Sequence, residues 1–562
     1  MITLPENAVS GVSFEGGALA RMRDGVRLVA DIYRPAPTPA APGPWPVLLM
    51  RQPYGRDIAS TVVYAHPVWF ARRGFMVVVQ DVRGRGDSEG EFYAFRHESE
   101  DGYDTVLWAA GLPGSNGRVG MYGFSYQAST QLLAALARPA PLRALAPHMT
   151  AFDLYSGWFY RDGLLQLSTT VGWAGQMLRE DSRRLHSPAE PALDENWLAS
   201  GRLSHHLPVR DAPALTHPGL PSYGGDWLRH PAYDDYWREF DLLRRVGDLG
   251  LPMFHLSGWY DFYLRGSVDG YRAMAASHPH QFLLASPWVH IPWGPAVGGA
   301  HFGPAAEPVV DELMAAWFHH WLDHEKPSGP PPLAGCRYFL LGENAWRDAP
   351  SWPPPGSGPQ SWFLAGGGRA NSRFGDGRLS TDGPSGPDDL FTYDPEVPVL
   401  APGGNVNGHA TFGPHDLSAQ QQGNNLLVYT SPPLAADLVV AGDPVCTLHV
   451  QSSAAETAFV ARLSRVLPDG KAIFLTLGAA RVRARDGAEV RIALDPVAVR
   501  FAAGERIRLD VASSAFPLLI RHPDTLTDPA SVSRAGDFVR ALQITRHDSD
   551  HPSRLELPTL PA

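Results

Sequence analysis

Lysine is almost missing from this chain of 562 residues: Lys326 and Lys471 are the only two, and every other basic side chain is arginine. That bias points to coding preference rather than chemistry. The balance of 47 basic against 58 acidic side chains leaves a net charge of -11, which argues against nucleic acid or an anionic membrane as a partner. Cysteine is as scarce. Cys336 and Cys446 cannot build a disulfide framework and leave room for one bridge at most. The opening residues Met1 to Asn7 lack the basic and apolar segments of a leader, and no apolar run approaches a membrane span, so a soluble, cytoplasmic protein is expected. Internal repeats and low-complexity tails are missing too. The length is too great for one core, and two to four domains are expected.

What the chain does have is the stretch Arg118-Val119-Gly120-Met121-Tyr122-Gly123-Phe124-Ser125-Tyr126-Gln127-Ala128. It reads as a buried strand, a sharp turn and a helix start, with serine at the apex. Gly123 lets the backbone bend without a Cβ clash, and the small Ala128 lets the helix pack close to the strand. This is the pattern of a nucleophile elbow. A serine hydroxyl is a weak nucleophile, so the reading requires a histidine base and an acid to orient it.

Both partners follow downstream. An Asp-Gly hairpin over residues 15–35 precedes the apolar runs Trp45–Met50 and Phe75–Asp81, separated by a helix-like stretch near 62–73, and this implies a parallel sheet. The glycine-rich segment Val82–Gly90 lacks the Gly-Lys-Ser/Thr of a phosphate cradle and is read as a surface loop. Helices are expected over 97–110 and 126–138, and a strand over 142–146. From 148 to 242 aromatic residues mix with Arg, Asp and Pro without clear strands, as in an inserted helical cap. The sheet resumes at Pro252–Tyr260 and ends in Asp261; a helix over 265–277 and a strand over 281–285 then lead to Pro287-Trp288-Val289-His290. Serine, acid and histidine, each just after a sheet strand, fit a site at the carboxyl ends of parallel strands. A helix near 307–324 closes this part. Beyond 350, short alternating runs between Gly, Pro and Asn turns read as a β-sandwich. The expected divisions are 1–147 and 243–350 for the hydrolase domain, 148–242 for the cap and 351–562 for the sandwich.

Other residues compete for these roles. His148 and His301 are second choices for the base, and His255, inside a strand, reads as a core residue. His320 and His324, read as one helical turn apart, have the spacing of a metal pair but lack a third ligand. Trp158 and Trp173 fit either the core of the cap or a substrate pocket.

Several separated motifs resemble the cocaine esterase and Xaa-Pro dipeptidyl-peptidase family of α/β-hydrolases. They are Met22-Arg23-Asp24-Gly25-Val26, Arg51-Gln52-Pro53-Tyr54, Asp81-Val82-Arg83-Gly84, Ser115 to Gly120, Gly258-Trp259-Tyr260-Asp261 and Pro287-Trp288-Val289-His290. Tyr393-Asp394-Pro395, Pro468-Asp469-Gly470 and Ser513 to Pro517 resemble its C-terminal domain. The resemblance implies an α/β-hydrolase domain with an inserted helical cap and a C-terminal all-β jelly-roll sandwich of the galactose-binding type. It also implies Ser125 as nucleophile, Asp261 and His290 as its partners, Tyr54 and the Tyr126 N–H as oxyanion donors, and Trp158, Trp173 and Tyr263 as the lining of the acyl pocket. Three departures are Ala128 and Ser286, where glycine is usual, and Ala458, where aspartate is usual.

The expected chemistry is hydrolysis of a small-molecule ester or amide through an acyl-enzyme. Phe262-Tyr263-Leu264 after Asp261 offer no carboxylate for an α-ammonium, which favours an ester with an apolar or aromatic acyl part over an aminopeptidase. An acid supplied by Asp153, Asp162 or other residues in the cap would reverse this preference. The alternative of another class is a carbohydrate-binding protein with a vestigial site. No cofactor or metal is implied, because the triad itself supplies nucleophile and base; a homodimer is left open.

Overall fold

The computed structural model describes residues 11–37, 43–57, 61–188, 192–193, 204–213, 215–325, 329–401 and 413–561. Ten strands form its first sheet: β1 (Val12–Arg21), β2 (Arg27–Pro35), β3 (Trp45–Gln52), β4 (Met76–Asp81), β5 (Ser115–Phe124), β6 (Leu142–His148), β7 (Met253–Tyr260), β8 (Gln281–Val289), β9 (Gly335–Leu340) and β10 (Ala345–Ala349). Their spatial order is β1-β2-β4-β3-β5-β6-β7-β8-β9-β10. Pairing is parallel from β4 through β9 and antiparallel at both margins. β3, β4, β7 and β8 are buried along their whole length, as strands covered on both faces must be, and their near-continuous apolar sequences reflect it.

The covering helices are α1 (Pro67–Ala71), α2 (Glu98–Ala110), α3 (Tyr126–Leu136), α4 (Leu167–Arg184), α5 (Tyr223–Arg229), α6 (Leu264–Ser277) and α7 (Val310–Leu322). One glycine fixes how closely α7 can lie on the sheet: a Cβ on Gly120 would stand 2.6 Å from the Phe318 ring. α1 is shorter than the expected 62–73, because His66 caps it and Pro67 starts it. The cap region is helical as expected, but it also carries a small hairpin pairing Tyr160–Arg161 with Leu164–Leu165. Its turn, at Asp162 and Gly163, has positive φ at both residues. Among the described residues, no helix is long and apolar enough to cross a membrane.

Among the described residues, thirteen further strands between Gly358 and Leu560 make an all-β region whose strand pairings are mostly antiparallel. It docks on the cap by backbone pairing, with the Leu167 N–H donating to the Leu518 carbonyl (2.9 Å) and the Ile520 N–H to the Leu165 carbonyl (2.9 Å). Cys336 lies in β9 and Cys446 in this second sheet; both are buried and free, so the bridge left open by the sequence is not made.

Two more expectations are corrected. α7 ends at Leu322, so His324 does not continue the helical face of His320, and it is His319 that meets Asp323, at 3.0 Å. The segment 82–90 is not a surface loop throughout: Val82, Gly84, Arg85 and Ser88 are buried. Ser88 ties the segment to β2 and β4, accepting from the Val29 N–H (2.8 Å) and donating to the Asp81 carbonyl (2.7 Å). Arg85 reaches up into the cap, where it pairs with Asp181 at 3.1 Å.

Candidate active site

Ser125 sits between β5 and α3 with φ 60° and ψ -128°, left-handed backbone that a non-glycine residue adopts at a cost of about 1–3 kcal/mol. Its N–H donates to the His148 carbonyl at 3.0 Å, which holds the turn against β6. Gly123 has φ 139°, and a Cβ there would lie 2.5 Å from the Gln127 Cβ, so the turn requires the glycine that the sequence supplies. Ser125 itself stays half-buried, at the carboxyl end of the sheet.

Asp261 directly follows β7 and His290 directly follows β8, and both are buried. The His290 Nδ1–H donates to Asp261 Oδ2 at 3.1 Å, and the Tyr263 N–H occupies Asp261 Oδ1 at 2.8 Å. A carboxylate can only accept, so this contact places the proton on Nδ1. The imidazole stands beside the nucleophile turn, its centroid 5.2 Å from the Phe124 ring and 4.6 Å from that of Phe262.

The rival histidines are elsewhere. His148 is buried, its Nδ1 meets the Tyr64 hydroxyl at 2.8 Å, and burial pushes it down to about 3. His301 is exposed and accepts from the Gly303 N–H at 3.1 Å. His255 is the core residue expected, at 2.9 Å from Gln281 Oε1.

Tyr54 lies in the loop after β3, and the Ser125 side chain is among the groups that act on its hydroxyl. Burial pushes the Tyr54 hydroxyl up to about 12, so it stays protonated and can donate at neutral pH. Its loop is tightly held. Gln52 accepts from the Tyr54 N–H (2.7 Å) and donates to Asp81 Oδ1 (2.8 Å), and Asp81 also takes the Arg56 guanidinium at 2.6 Å. Gly86 must be glycine here, since a Cβ would stand 2.1 Å from Asp81 Oδ2.

The second expected donor, the Tyr126 N–H, belongs to the first residue of α3, where no carbonyl within the helix can accept it. Its side chain locks this end from below. The Tyr126 hydroxyl donates to Glu98 Oε1 (2.8 Å) and accepts from the Phe95 N–H (2.9 Å), while Arg51 neutralises Glu98 at 2.8 Å. The sequence reading did not single out Glu98 or this use of Arg51.

The cap contributes Trp158, buried and 5.0 Å from Tyr263 between centroids, and Trp173, 4.9 Å from Trp158. Trp173 does more than line the space: its Nε1–H donates to the Tyr54 hydroxyl oxygen at 3.1 Å. No local pattern in the sequence announces that bond, which joins positions 119 residues apart.

A serine on a strand–turn–helix apex, with a histidine–aspartate pair at neighbouring strand ends, defines the α/β-hydrolase class. The chain belongs to the X-Pro dipeptidyl-peptidase (S15) family. Residues 24–292 match that family, and residues 332–556 match the X-Pro dipeptidyl-peptidase C-terminal non-catalytic domain. It is 32% identical to the cocaine esterase of Rhodococcus sp. (strain MB1 Bresler), over 98% of this chain and 99% of that one. The fold is also that of an aminopeptidase from a marine-sediment thaumarchaeon and of an α-amino acid ester hydrolase. Each superposes with a TM-score of 0.82 at 22% identity, covering 100% of this chain and 98% of the other. The protein is accordingly a hydrolase, an α/β-hydrolase domain followed by an all-β domain.

Proposed function

We propose that the protein hydrolyses carboxylic esters with an apolar or aromatic acyl group, using Ser125, His290 and Asp261 as a catalytic triad. The observation that carries this reading is the charge around the serine. Its cap-side neighbours are aromatic rings, and the acids that could receive an α-ammonium are committed elsewhere. Asp153 caps its own helical turn, accepting from the Tyr155 N–H (2.9 Å), the Ser156 N–H (3.1 Å) and the Ser156 hydroxyl. Asp241 accepts from the Leu243 N–H (3.0 Å) and the Tyr233 hydroxyl (2.5 Å). Asp162 is exposed at the tip of the small hairpin. The charge that acts on the Tyr54 hydroxyl is that of Arg85, a cation. Asp181 pairs with that guanidinium at 3.1 Å, so this carboxylate too is committed and does not serve a desolvated ammonium.

In this mechanism Ser125 Oγ attacks the ester carbonyl as its proton passes to His290 Nε2, and the carbonyl oxygen gains charge. Tyr54 O–H and the Tyr126 N–H donate to that oxyanion, while Asp261 keeps the imidazole in the right tautomer. The C–O bond to the leaving group breaks, and His290 protonates the departing oxygen. Water then enters, loses a proton to His290 and releases the acid from Ser125. Trp158, Trp173 and Tyr263 enclose the acyl group. In the same reading, residues 148–242 are a cap over the site and 351–562 a domain that supports it.

The test is initial-rate hydrolysis of p-nitrophenyl acetate, butyrate and benzoate beside an Xaa-Pro-p-nitroanilide, each with wild type and Ser125→Ala. Serine-dependent turnover of the esters, with the anilide spared, is expected. Preferred cleavage of the anilide would sink the ester reading and favour the peptidase activity for which the family is named. Failure of a fluorophosphonate to label Ser125 would point instead to a vestigial site.

A further inference from the structure

The glycine-rich segment Val82–Gly90 has no part in the proposed reaction, yet it grips both partners of the hydrogen bond from Trp173 to Tyr54. On one side it holds the loop of Tyr54. Asp81, immediately before the segment, accepts from Gln52, which holds the Tyr54 N–H, and Asp87 takes the Arg56 guanidinium at 2.8 Å. On the other side it holds α4, the cap helix that carries Trp173. Arg85 meets Asp181 of α4 at 3.1 Å and also donates to the Met177 carbonyl (3.4 Å) and the Tyr223 hydroxyl (3.3 Å). In return Arg184 of α4 donates to the carbonyls of Gly86 (2.6 Å) and Ser88.

These contacts fall on one line of the helix. Trp173, Met177, Asp181 and Arg184 are spaced i, i+4, i+8 and i+11, which puts them on one face of α4, with Asp181 about 12 Å along the axis from Trp173. No proline interrupts α4 between them, so whatever fixes Asp181 also fixes the indole relative to Tyr54. The anchor itself is rigid. Arg85 and Asp181 are both buried, where separating a carboxylate from its guanidinium is strongly disfavoured, so the pair sets one distance between segment and helix. The Arg85 guanidinium also lies 3.9 Å over the Phe92 ring. The segment closes on itself through the Gly84 N–H to the Glu89 carbonyl (2.9 Å) and the Ser88 N–H to the Arg85 carbonyl (2.9 Å). Gly84 has no room for a side chain, since a Cβ would stand 2.2 Å from the Phe92 nitrogen.

We propose that Arg85 is a positioning residue for the oxyanion donor: through Asp181 it sets α4 so that the Trp173 Nε1–H reaches the Tyr54 hydroxyl oxygen. That bond occupies a lone pair of the hydroxyl and leaves its proton for the oxyanion. The inference rests on the assignment of Tyr54 as that donor. Arg85 in this role touches no reacting atom and acts only through the helix.

The experiment is steady-state hydrolysis of p-nitrophenyl butyrate by Arg85→Met in three backgrounds: wild type, Trp173→Phe and Tyr54→Phe. In the wild-type background kcat and kcat/KM are expected to fall together by about two- to tenfold, the loss of one neutral hydrogen bond to a group that acts in the transition state. In the other two backgrounds the same change should have no further effect on kcat. An arginine that only docks the cap would lower the unfolding midpoint and cost the same factor, or none, in all three, and either result would overturn the proposal. If Arg85→Met does not fold, Arg85→Met with Asp181→Asn is the second variant, which removes both charges and leaves no carboxylate unpaired in the core. It should show the same loss, confined to enzyme that has both Trp173 and Tyr54, and an undiminished kcat in that folded variant would overturn the role. Undiminished kcat in Tyr54→Phe would bring down the oxyanion reading and this proposal with it. A large Tyr54→Phe loss beside an Arg85 effect that ignores it would sink the proposal alone.

Discussion

Among the described residues, two of the buried histidine–aspartate pairs lie far apart in this chain, and they look alike until the second ring nitrogen is considered. His290 and Asp261 meet at 3.1 Å at the ends of the first sheet, and His547 and Asp389 at 2.7 Å inside the all-β region. All four are buried. In the second pair every acceptor is used to hold an imidazolium: His547 Nε2 faces Asp389, and Nδ1 faces the Ser385 carbonyl at 3.0 Å. Asp389 is saturated as well, by the Tyr429 hydroxyl (3.0 Å) and the Ala370 N–H (3.1 Å). Two acceptors on one ring fix both protons, so this histidine can carry charge but cannot pass a proton on. At His290 the carboxylate fixes one nitrogen only, and the ring stands beside a strained serine. On the proposed triad, the difference between a structural and a catalytic pair therefore lies in what the rest of the site asks of the ring, more than in the pair's own geometry.

Alanine at each histidine should separate the two. His290→Ala is expected to lower kcat by about four to six orders of magnitude with little change in the unfolding midpoint. His547→Ala should do the reverse, costing about 3–5 kcal/mol of stability because it strands a buried carboxylate, while folded molecules keep their kcat. Burial disfavours the charged His547 ring, but the hydrogen bond and charge of Asp389 outweigh it and raise its pKa. A raised histidine pKa gives stabilisation that is complete below the unfolded value of about 6.5 and fades as pH rises through the folded one. Denaturant melts of wild type and His547→Gln should therefore converge with rising pH. A gap that stays constant would show that the ring is neutral in the fold and remove the contrast with His290.

How much of this was readable in the sequence depends on the range over which each feature is encoded. Gly123, Ser125 and Ala128 specify the elbow within a few residues, and Asp261 and His290 each follow an apolar strand, so the site's frame could be placed from local pattern. The contacts that tune it are joined only in space. Trp173 on Tyr54, Arg85 on Asp181 and Glu98 under Tyr126 each depend on how separate loops meet. A glycine-rich segment such as Val82–Gly90 reads as surface, because nothing within it says that an aspartate from α4 will bury its arginine.

The smallest of these effects tests whether such distant contacts reach the chemistry. On the proposed mechanism Tyr54→Phe removes an oxyanion donor and should cost about two to three orders of magnitude in kcat, whereas a fall of much less than tenfold would exclude Tyr54 from that role. Trp173→Phe leaves that donor in place and removes only the N–H that holds it at 3.1 Å, so it forfeits one neutral hydrogen bond, worth about 0.5–1.5 kcal/mol. The Phe ring can still pack toward Trp227, which lies 5.3 Å from Trp173 between centroids. A fall in kcat of about two- to tenfold is expected. If the indole acts through Tyr54, the same change made in Tyr54→Phe should have no further effect on kcat, and the coupling energy of the double-mutant cycle should equal the whole cost of the single change. Additive losses would mean that Trp173 serves the acyl group directly and that its bond to Tyr54 is incidental to the rate.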